Sequence, residues 1–331
     1  FFFKQKTAYE IVDCDWSSDV CSSDLVAAGN FAEPRDATEI QLARIFAECL
    51  GLAEVGIHDD FFAMGGHSLL AVRLVASIKE TFGAEIAVRN LIQFSTVAAL
   101  AAYIRGENSA TKGSVITLRP GTQVQPVWMF HPIGGNVFCY LELNRHLNAA
   151  RPVIAFQSPG LEQTGEADVT VEDMAARYLR DLRTTQAHGP YLLGGWCFGG
   201  VIAYEAARQL RAAGEQVRGI FLIDSRAPVP ANVPSDADDA TLLSWFARDL
   251  AAPFNKTLTI SPETLRQLEP DQMFTYVLNR AKEIAVLPVD ADAEQLQRYF
   301  EVYIGNGIAL QTYFPDGEEI PALLIKAQDE K

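Results

Sequence analysis

The amino-acid sequence predicts two folded units in series: a small four-helix bundle, then a mostly parallel α/β sheet with a helical insertion lying over it as a lid. Three observations predict this. Between Ile40 and Ile104 apolar residues recur largely at spacings of three and four, the period of helices with one buried face. From Val115 onward short apolar runs alternate with amphipathic stretches, as in a parallel sheet covered on both faces. Between the two textures lies GENSATKGS, Gly106 to Ser114, polar and small like a flexible linker.

In the first unit, Ile40, Leu42, Ala43, Ile45, Phe46 and Leu50 mark a helix that Gly51 stops. Gly65-Gly66-His67 leads into Ser68, a good N-cap, and the next helix buries Leu70, Leu74 and Ile78 before Gly83 ends it. A short turn near Leu91 and a helix from Val97 to Ile104 complete the bundle. In the second unit, strands are expected at Val127–Phe130, Val153–Phe156, Tyr191–Gly194, Arg218–Asp224 and Ile320–Ile325, with helices at Val171–Arg183 and Gly199–Ala213. Ala231 to Asn306 breaks this rhythm with helical segments. It is expected to lie over the mouth of the Cys197 elbow as a lid, its aromatics Trp245, Phe246, Phe254, Phe274, Tyr276, Tyr299 and Phe300 divided between packing on the sheet and lining the pocket.

Composition narrows the function. The chain has 331 residues, which suits two domains at ~150 residues each. A net charge of −15 argues against nucleic acid, whose phosphates need concentrated Lys and Arg. No run approaches the ~20 apolar residues of a membrane span. The cysteines Cys14, Cys21, Cys49, Cys139 and Cys197 form no CxxC pair and no Cys/His cluster, so neither a metal site nor a disulfide framework is expected, and a reducing cytoplasm is the default compartment. Residues 1–25, FFFKQKTAYEIVDCDWSSDVCSSDL, lack helical or strand periodicity and look like the translation of a sequencing-adapter read fused to a gene fragment.

Two sites carry chemistry. At the first, DDFFAMGGHSL, two glycines let the chain turn into a helix whose unpaired amides and positive dipole end would favour a phosphodiester on Ser68. A serine at such a place is most often a plain cap, but the whole string, Asp59 to Leu69, resembles the phosphopantetheine attachment motif of peptidyl carrier proteins. The resemblance covers Asp36 to Arg105. It implies that Ser68 receives 4′-phosphopantetheine from coenzyme A through a phosphopantetheinyl transferase, and that His67 serves docking rather than catalysis.

At the second, Gly195-Trp196-Cys197-Phe198-Gly199 stands between an apolar strand and a helix, the G-x-nucleophile-x-G elbow. The helix terminus behind Cys197 favours a thiolate, although a free cysteine is also a common core residue. His131-Pro132-Ile133-Gly134-Gly135 directly follows a strand, where an α/β-hydrolase carries its oxyanion loop. HPIGG, GPYLLGGWCFGG and RGIFLIDSRAP fall in the order and spacing of the type I thioesterase domains that end nonribosomal peptide synthetases, and Val115 to Lys331 resembles such a domain. The resemblance implies an α/β-hydrolase fold, an oxyanion hole from the backbone N–H groups of Phe198 and Ile133, and an Asp224 that orients a catalytic histidine. It implies upstream condensation and adenylation domains and a peptidyl thioester substrate.

The sequence departs from the family twice. Most members carry serine where Cys197 stands; a thiolate is the better nucleophile, and the acyl-enzyme becomes a thioester that keeps its transfer potential. On this fold the histidine follows the acid, yet His58, His67, His131, His146 and His188 all precede Asp224. Truncation of a source fragment would account for this; recruitment of His131 is the alternative. The expected organisation is therefore a non-native segment 1–25, a carrier over residues 33–107, a linker over 108–114, and a thioesterase over 115–331 cut short at its C-terminus. The expected function is acyl transfer to Cys197, then hydrolysis or cyclisation. The rival is a carrier and docking module whose thioesterase half is inactive. No GxxGxxG loop suggests reductive release.

Overall fold

A computed structural model describes residues 31–66, 68–108, 114–122, 125–147, 150–161, 170–225, 237–252, 256–284, 286–287, 291, 293–315 and 320–327. The segment 1–25 and His67 lie outside the described residues.

The first unit is helical. α1 (Ala37–Leu50) starts at Asp36, whose side chain accepts the Glu39 N–H, and ends at Gly51 in the left-handed region at φ 70°. α2 (Ser68–Phe82) follows a tight loop, then α3 (Val88–Gln93) and α4 (Val97–Ile104), which Thr96 caps through the Ala99 N–H. Leu42, Phe46, Phe61, Leu74, Ile78, Leu91 and Leu100 are completely buried between the helices. Leu42, Phe46, Leu74 and Ile78 are positions the helical period selects, whereas Ile40, expected on the buried face, is 57% exposed, Leu50 and Leu70 are half-buried, and Phe61 comes from the loop before α2.

The second unit is a six-stranded sheet. β1 (Val115–Arg119), β2 (Val127–Phe130), β3 (Val153–Phe156), β4 (Tyr191–Trp196), β5 (Val217–Ile223) and β6 (Leu323–Ile325) lie in the order β1-β3-β2-β4-β5-β6. Every neighbouring pair is parallel except β1, which runs antiparallel to β3 at the edge. β2 shows why the sheet is buried on both sides. Val127 and Met129 join one core with Tyr140 of α5 (Cys139–His146). Trp128 and Phe130 join the other with α6 (Val171–Thr185) and α7 (Phe198–Ala212). The last strand is shorter than expected, Leu323–Ile325 rather than Ile320–Ile325, and its three side chains are exposed.

After β5 come α8 (Asp239–Ala251), α9 (Pro262–Leu265), α10 (Pro270–Glu283) and α11 (Ala293–Thr312), the last running six residues past the expected end of the insertion. The expected division of its aromatics is not what the structure shows. Phe246 and Phe274 both meet Phe300 edge-on, at 5.5 and 5.4 Å between ring centroids, inside a core the insertion builds for itself. Helices that extend beyond the sheet have to bury their apolar faces on one another. Phe254 lies outside the described residues.

Candidate active site

Ser68 is the first residue of α2 rather than the residue before it, so it sits among the amides that a helix leaves without intrahelical acceptors. The string before it is scaffolding. The Asp59 carboxylate accepts the Gly56 N–H at 2.8 Å, and that of Asp60 accepts the Ala63 N–H at 2.9 Å and the Ser95 hydroxyl. Phe61 is buried, and a Cβ on Gly66 would lie 2.4 Å from its ring. A glycine is therefore required where the loop folds against the core before turning into α2. This arrangement fits an attached phosphodiester: the first turn of a 15-residue helix offers it amide donors at the positive end of the dipole.

The elbow is tightly determined. Cys197 sits between β4 and α7 at φ 55°, ψ −121°, a conformation a non-glycine residue rarely adopts. Its N–H donates to the Ile223 carbonyl at 2.8 Å, and the Trp196 N–H donates to the Tyr140 hydroxyl at 2.9 Å. That hydroxyl in turn donates to the Phe130 carbonyl at the end of β2. Tyr140 thus ties the strand that leads into Cys197 to the strand that leads into the HPIGG loop. The flanking glycines are steric requirements. A Cβ on Gly195 would lie 2.1 Å from the backbone of Gly199, and one on Gly199 would lie 2.0 Å from the Phe130 carbonyl oxygen. Cys197 itself is half-buried and unbridged. Phe198 opens α7, so its amide has no intrahelical acceptor.

The second expected oxyanion element sits beside this turn. The start of α7 lies against the Phe130 and His131 carbonyls, and the His131 and Phe198 rings are 6.2 Å apart. His131 is completely buried. Its Nδ1 lies 2.8 Å from the Pro132 carbonyl oxygen, which can only accept, so Nδ1 carries the proton. Nε2, 2.7 Å from the Tyr178 hydroxyl, then accepts. Burial pushes its pKa down to about 4, against a smaller upward pull from the Pro132 carbonyl. A neutral ring with both nitrogens engaged orients the Pro132–Ile133 peptide, whose N–H is the one expected to face an oxyanion. It is not placed to serve as a base, and the alternative of a recruited His131 loses its footing. His188 pairs with Glu215 at 3.1 Å and His146 ends α5.

Asp224 follows β5 at φ 44°, so Asp224 and Cys197 are the non-glycine residues with positive φ among those described. Its N–H donates to the Ile325 carbonyl, and its exposed carboxylate accepts the Ala327 N–H at 2.9 Å. No histidine is brought to it among the described residues.

The insertion reaches the site through α11. The Asn306 amide donates to the Ile133 carbonyl at 2.7 Å. The Tyr303 hydroxyl donates to the Asp249 carboxylate at 2.6 Å and is raised in pKa by burial first, by Asp249 next, and further by the charge of Cys197. The Asn306 bond thus brings α11 onto the HPIGG loop at Ile133. Tyr140, Tyr178 and Asn306 were not legible as site residues: their partners are distant in sequence, and each stands in an ordinary helical pattern.

Both units match known families. A family described as Thioesterase domain matches residues 125–306, and one described as Phosphopantetheine attachment site matches residues 41–104. A dimodular nonribosomal peptide synthase of Bacillus subtilis (strain 168) is 38% identical over 203 residues, 61% of this chain and 8% of that protein. Malpinin synthetase of Mortierella alpina is 34% identical over 236 residues, 69% of this chain and 3% of that protein. The chain thus spans less than a tenth of the length of these relatives. A crystal structure of a four-domain nonribosomal peptide synthetase in its holo form, bound to AMP and glycine, matches 96% of this chain and 24% of its own at 55% identity, with a TM-score of 0.66. No described helix is long and apolar enough to cross a membrane, and no described cluster of His, Cys, Asp and Glu could hold a metal. With an α/β-hydrolase sheet, a strained nucleophile elbow and a family match over more than half its length, this chain belongs to the thioesterase domain family and carries a phosphopantetheine attachment domain ahead of it.

Proposed function

We propose that the chain ends an acyl assembly line in nonribosomal peptide biosynthesis, with a carrier over residues 33–107, a linker over 108–114 and a thioesterase from residue 115 to residue 331. The observation that carries this reading is the pairing of two built sites in one chain, a helix opening at Ser68 and an elbow at Cys197. The phosphopantetheine arm, when attached to Ser68, supplies a flexible thiol that holds the acyl chain as a thioester. Cys197 then attacks the thioester carbonyl. A bond forms from Sγ to the carbonyl carbon, negative charge gathers on the oxygen, and the pantetheine sulfur leaves with the electron pair and takes a proton. The amides of Phe198 and Ile133 receive the developing charge; losing one such donor typically costs ~10²–10³ in turnover. Water or a nucleophile within the peptide next attacks the Cys197 thioester, a bond forms to the carbonyl carbon and the Cys197 sulfur leaves as thiolate; a base has to take the proton of the attacking group, and Asp224 is the acid that would orient a histidine in that role. The partners are a phosphopantetheinyl transferase and upstream condensation and adenylation domains, and the setting is the cytoplasm, where thiols such as those of Cys49, Cys139 and Cys197 stay reduced.

The test is incubation of the folded chain with coenzyme A and a broad-specificity phosphopantetheinyl transferase, read by intact-protein mass spectrometry. One phosphopantetheine mass is expected, absent in Ser68→Ala. An unchanged mass in the wild type, or an addition that persists in Ser68→Ala, overturns the carrier reading.

A further inference from the structure

The oxyanion loop is held from two directions. From the sheet side, the Pro132 carbonyl accepts from His131 Nδ1 at 2.8 Å and from the Gly135 N–H at 2.9 Å, and the Gly135 carbonyl accepts the Ser158 N–H at 2.8 Å. The Ile133 carbonyl between them is held from the lid side, by the Asn306 amide at 2.7 Å. Asn306 is 3% exposed, a buried polar side chain on a helix otherwise packed through apolar residues. One turn earlier on α11, the γ-methyl groups of Val302 lie 2.6 Å from where a Cβ on Gly135 would stand and 2.8 Å from one on Gly160. Residues four apart share a helix face, so one face of α11 rests directly on the backbone of this loop.

The loop needs such a tether. Ile133 precedes two glycines, whose torsions are the least restricted in any chain. A carbonyl buried beneath a lid must also find a donor, because leaving it unpaired costs about 1–3 kcal/mol. With the Asn306 donor in place, the Ile133–Gly134 peptide has one preferred orientation; the Ile133 N–H belongs to the preceding peptide, which His131 and Gly135 hold through the Pro132 carbonyl, so Ile133 is held on both sides of its Cα. Resting on the reading of Ile133 as an oxyanion donor, we propose that Asn306 is a positioning residue through which the seating of the lid helix sets the oxyanion hole. Acyl chains that let α11 settle on the loop are transferred efficiently. Chains that hold it off bind without being transferred, so the lid selects substrate at the transition state rather than by affinity.

The expected signature is a split between kcat and KM. In Asn306→Leu, which keeps most of the volume and removes the donor, the rate constant for acylation of Cys197 by a peptidyl thioester should fall about 10- to 100-fold, less than or equal to the loss of one whole donor. KM should stay within about twofold. Alkylation of Cys197 by iodoacetamide, which forms no oxyanion, should be unchanged. Asn306→Asp adds a readout that a merely structural role would not move. As a carboxylate it opposes the Ile133 carbonyl; once protonated it regains a donor. Its acylation rate relative to wild type at the same pH should therefore recover as pH falls from about 8 to about 5, within the range to which burial raises a carboxyl pKa. Phe246→Leu, which loosens the core of the lid without touching the loop, controls for lost stability. Replacing the Ile133 N–H by an ester oxygen, with the corresponding hydroxy acid, separates the two levels of the reading. If the ester slows acylation and Asn306→Leu does not, or if Phe246→Leu slows it equally, the proposal for Asn306 is overturned. If the ester has no effect, Ile133 is not an oxyanion donor and the reading beneath the proposal falls instead.

Discussion

Cys197 and Asp224 are both forced into backbone conformations that L-residues avoid, yet their surroundings could hardly differ more. Around Cys197 the geometry is determined several times over: by the Ile223 carbonyl, by the Tyr140 bridge from Trp196 to Phe130, and by glycines whose Cβ atoms would overlap backbone. Asp224 is exposed, fastened by one backbone bond to Ile325 and one side-chain bond from Ala327, next to a strand whose own side chains face solvent. Strain of about 1–3 kcal/mol survives only where the surroundings impose it. The Cys197 half of the candidate site is rigid because cores on both faces of the sheet hold its neighbours. The Asp224 half follows β5 beside the edge strand β6, and its side chain is exposed.

The largest effect that sharpens this contrast is acid sensitivity from the rigid half. His131 titrates near 6.5 when unfolded and at about 4 in the fold. Between those values the unfolded chain binds the proton and the native one does not. The stability held by the neutral ring is thus fully present above about pH 6.5 and is lost as pH falls toward about 4, a loss on the order of 3 kcal/mol. Urea unfolding at about pH 7.5 and about pH 4.5 should show wild type losing more stability than His131→Gln by roughly that amount. Equal losses would mean that His131 is accessible and titrates normally, and the rigid half would not be rigid. The smallest effect belongs to the other half. Asp224→Asn keeps an acceptor for the Ala327 N–H and tolerates the left-handed backbone, so stability should shift by less than about 0.5 kcal/mol. A loss above about 2 kcal/mol, the scale of an unpaired buried group, would show that the acid is as tightly built in as the cysteine.

The same contrast explains what was legible in the sequence. The elbow and the HPIGG loop are local: strand, turn residues and helix follow one another, so their chemistry can be read from consecutive residues such as Gly195 to Gly199. The carrier helices were legible for the same reason, since Gly51 and Gly83 stand where two of them end, both in the left-handed region. What could not be read is pairing at a distance. Asn306 reaches Ile133 across 173 positions and Tyr140 reaches Trp196 across 56. Periodicity reports that such residues face inward and says nothing of what they meet. The antiparallel β1 escaped for a related reason: an apolar strand pattern carries no direction. Dividing the lid aromatics between sheet and pocket fails for the same reason: Phe246, Phe274 and Phe300 meet one another instead.

The central claim is that Cys197 is the acyl acceptor, and that among the described residues no histidine stands beside Asp224 to take the proton in the second step. The direct measurement mixes the chain with an acyl-peptidyl N-acetylcysteamine thioester and follows the protein by intact mass and peptide mapping, with and without added imidazole. The account predicts one acyl group on the peptide containing Cys197, none in Cys197→Ala, slow loss of that group in buffer, and faster loss with imidazole, because a general base typically contributes ~10²–10⁴. An acyl group that persists in Cys197→Ala, or one that leaves the wild type equally fast with and without imidazole, would contradict it.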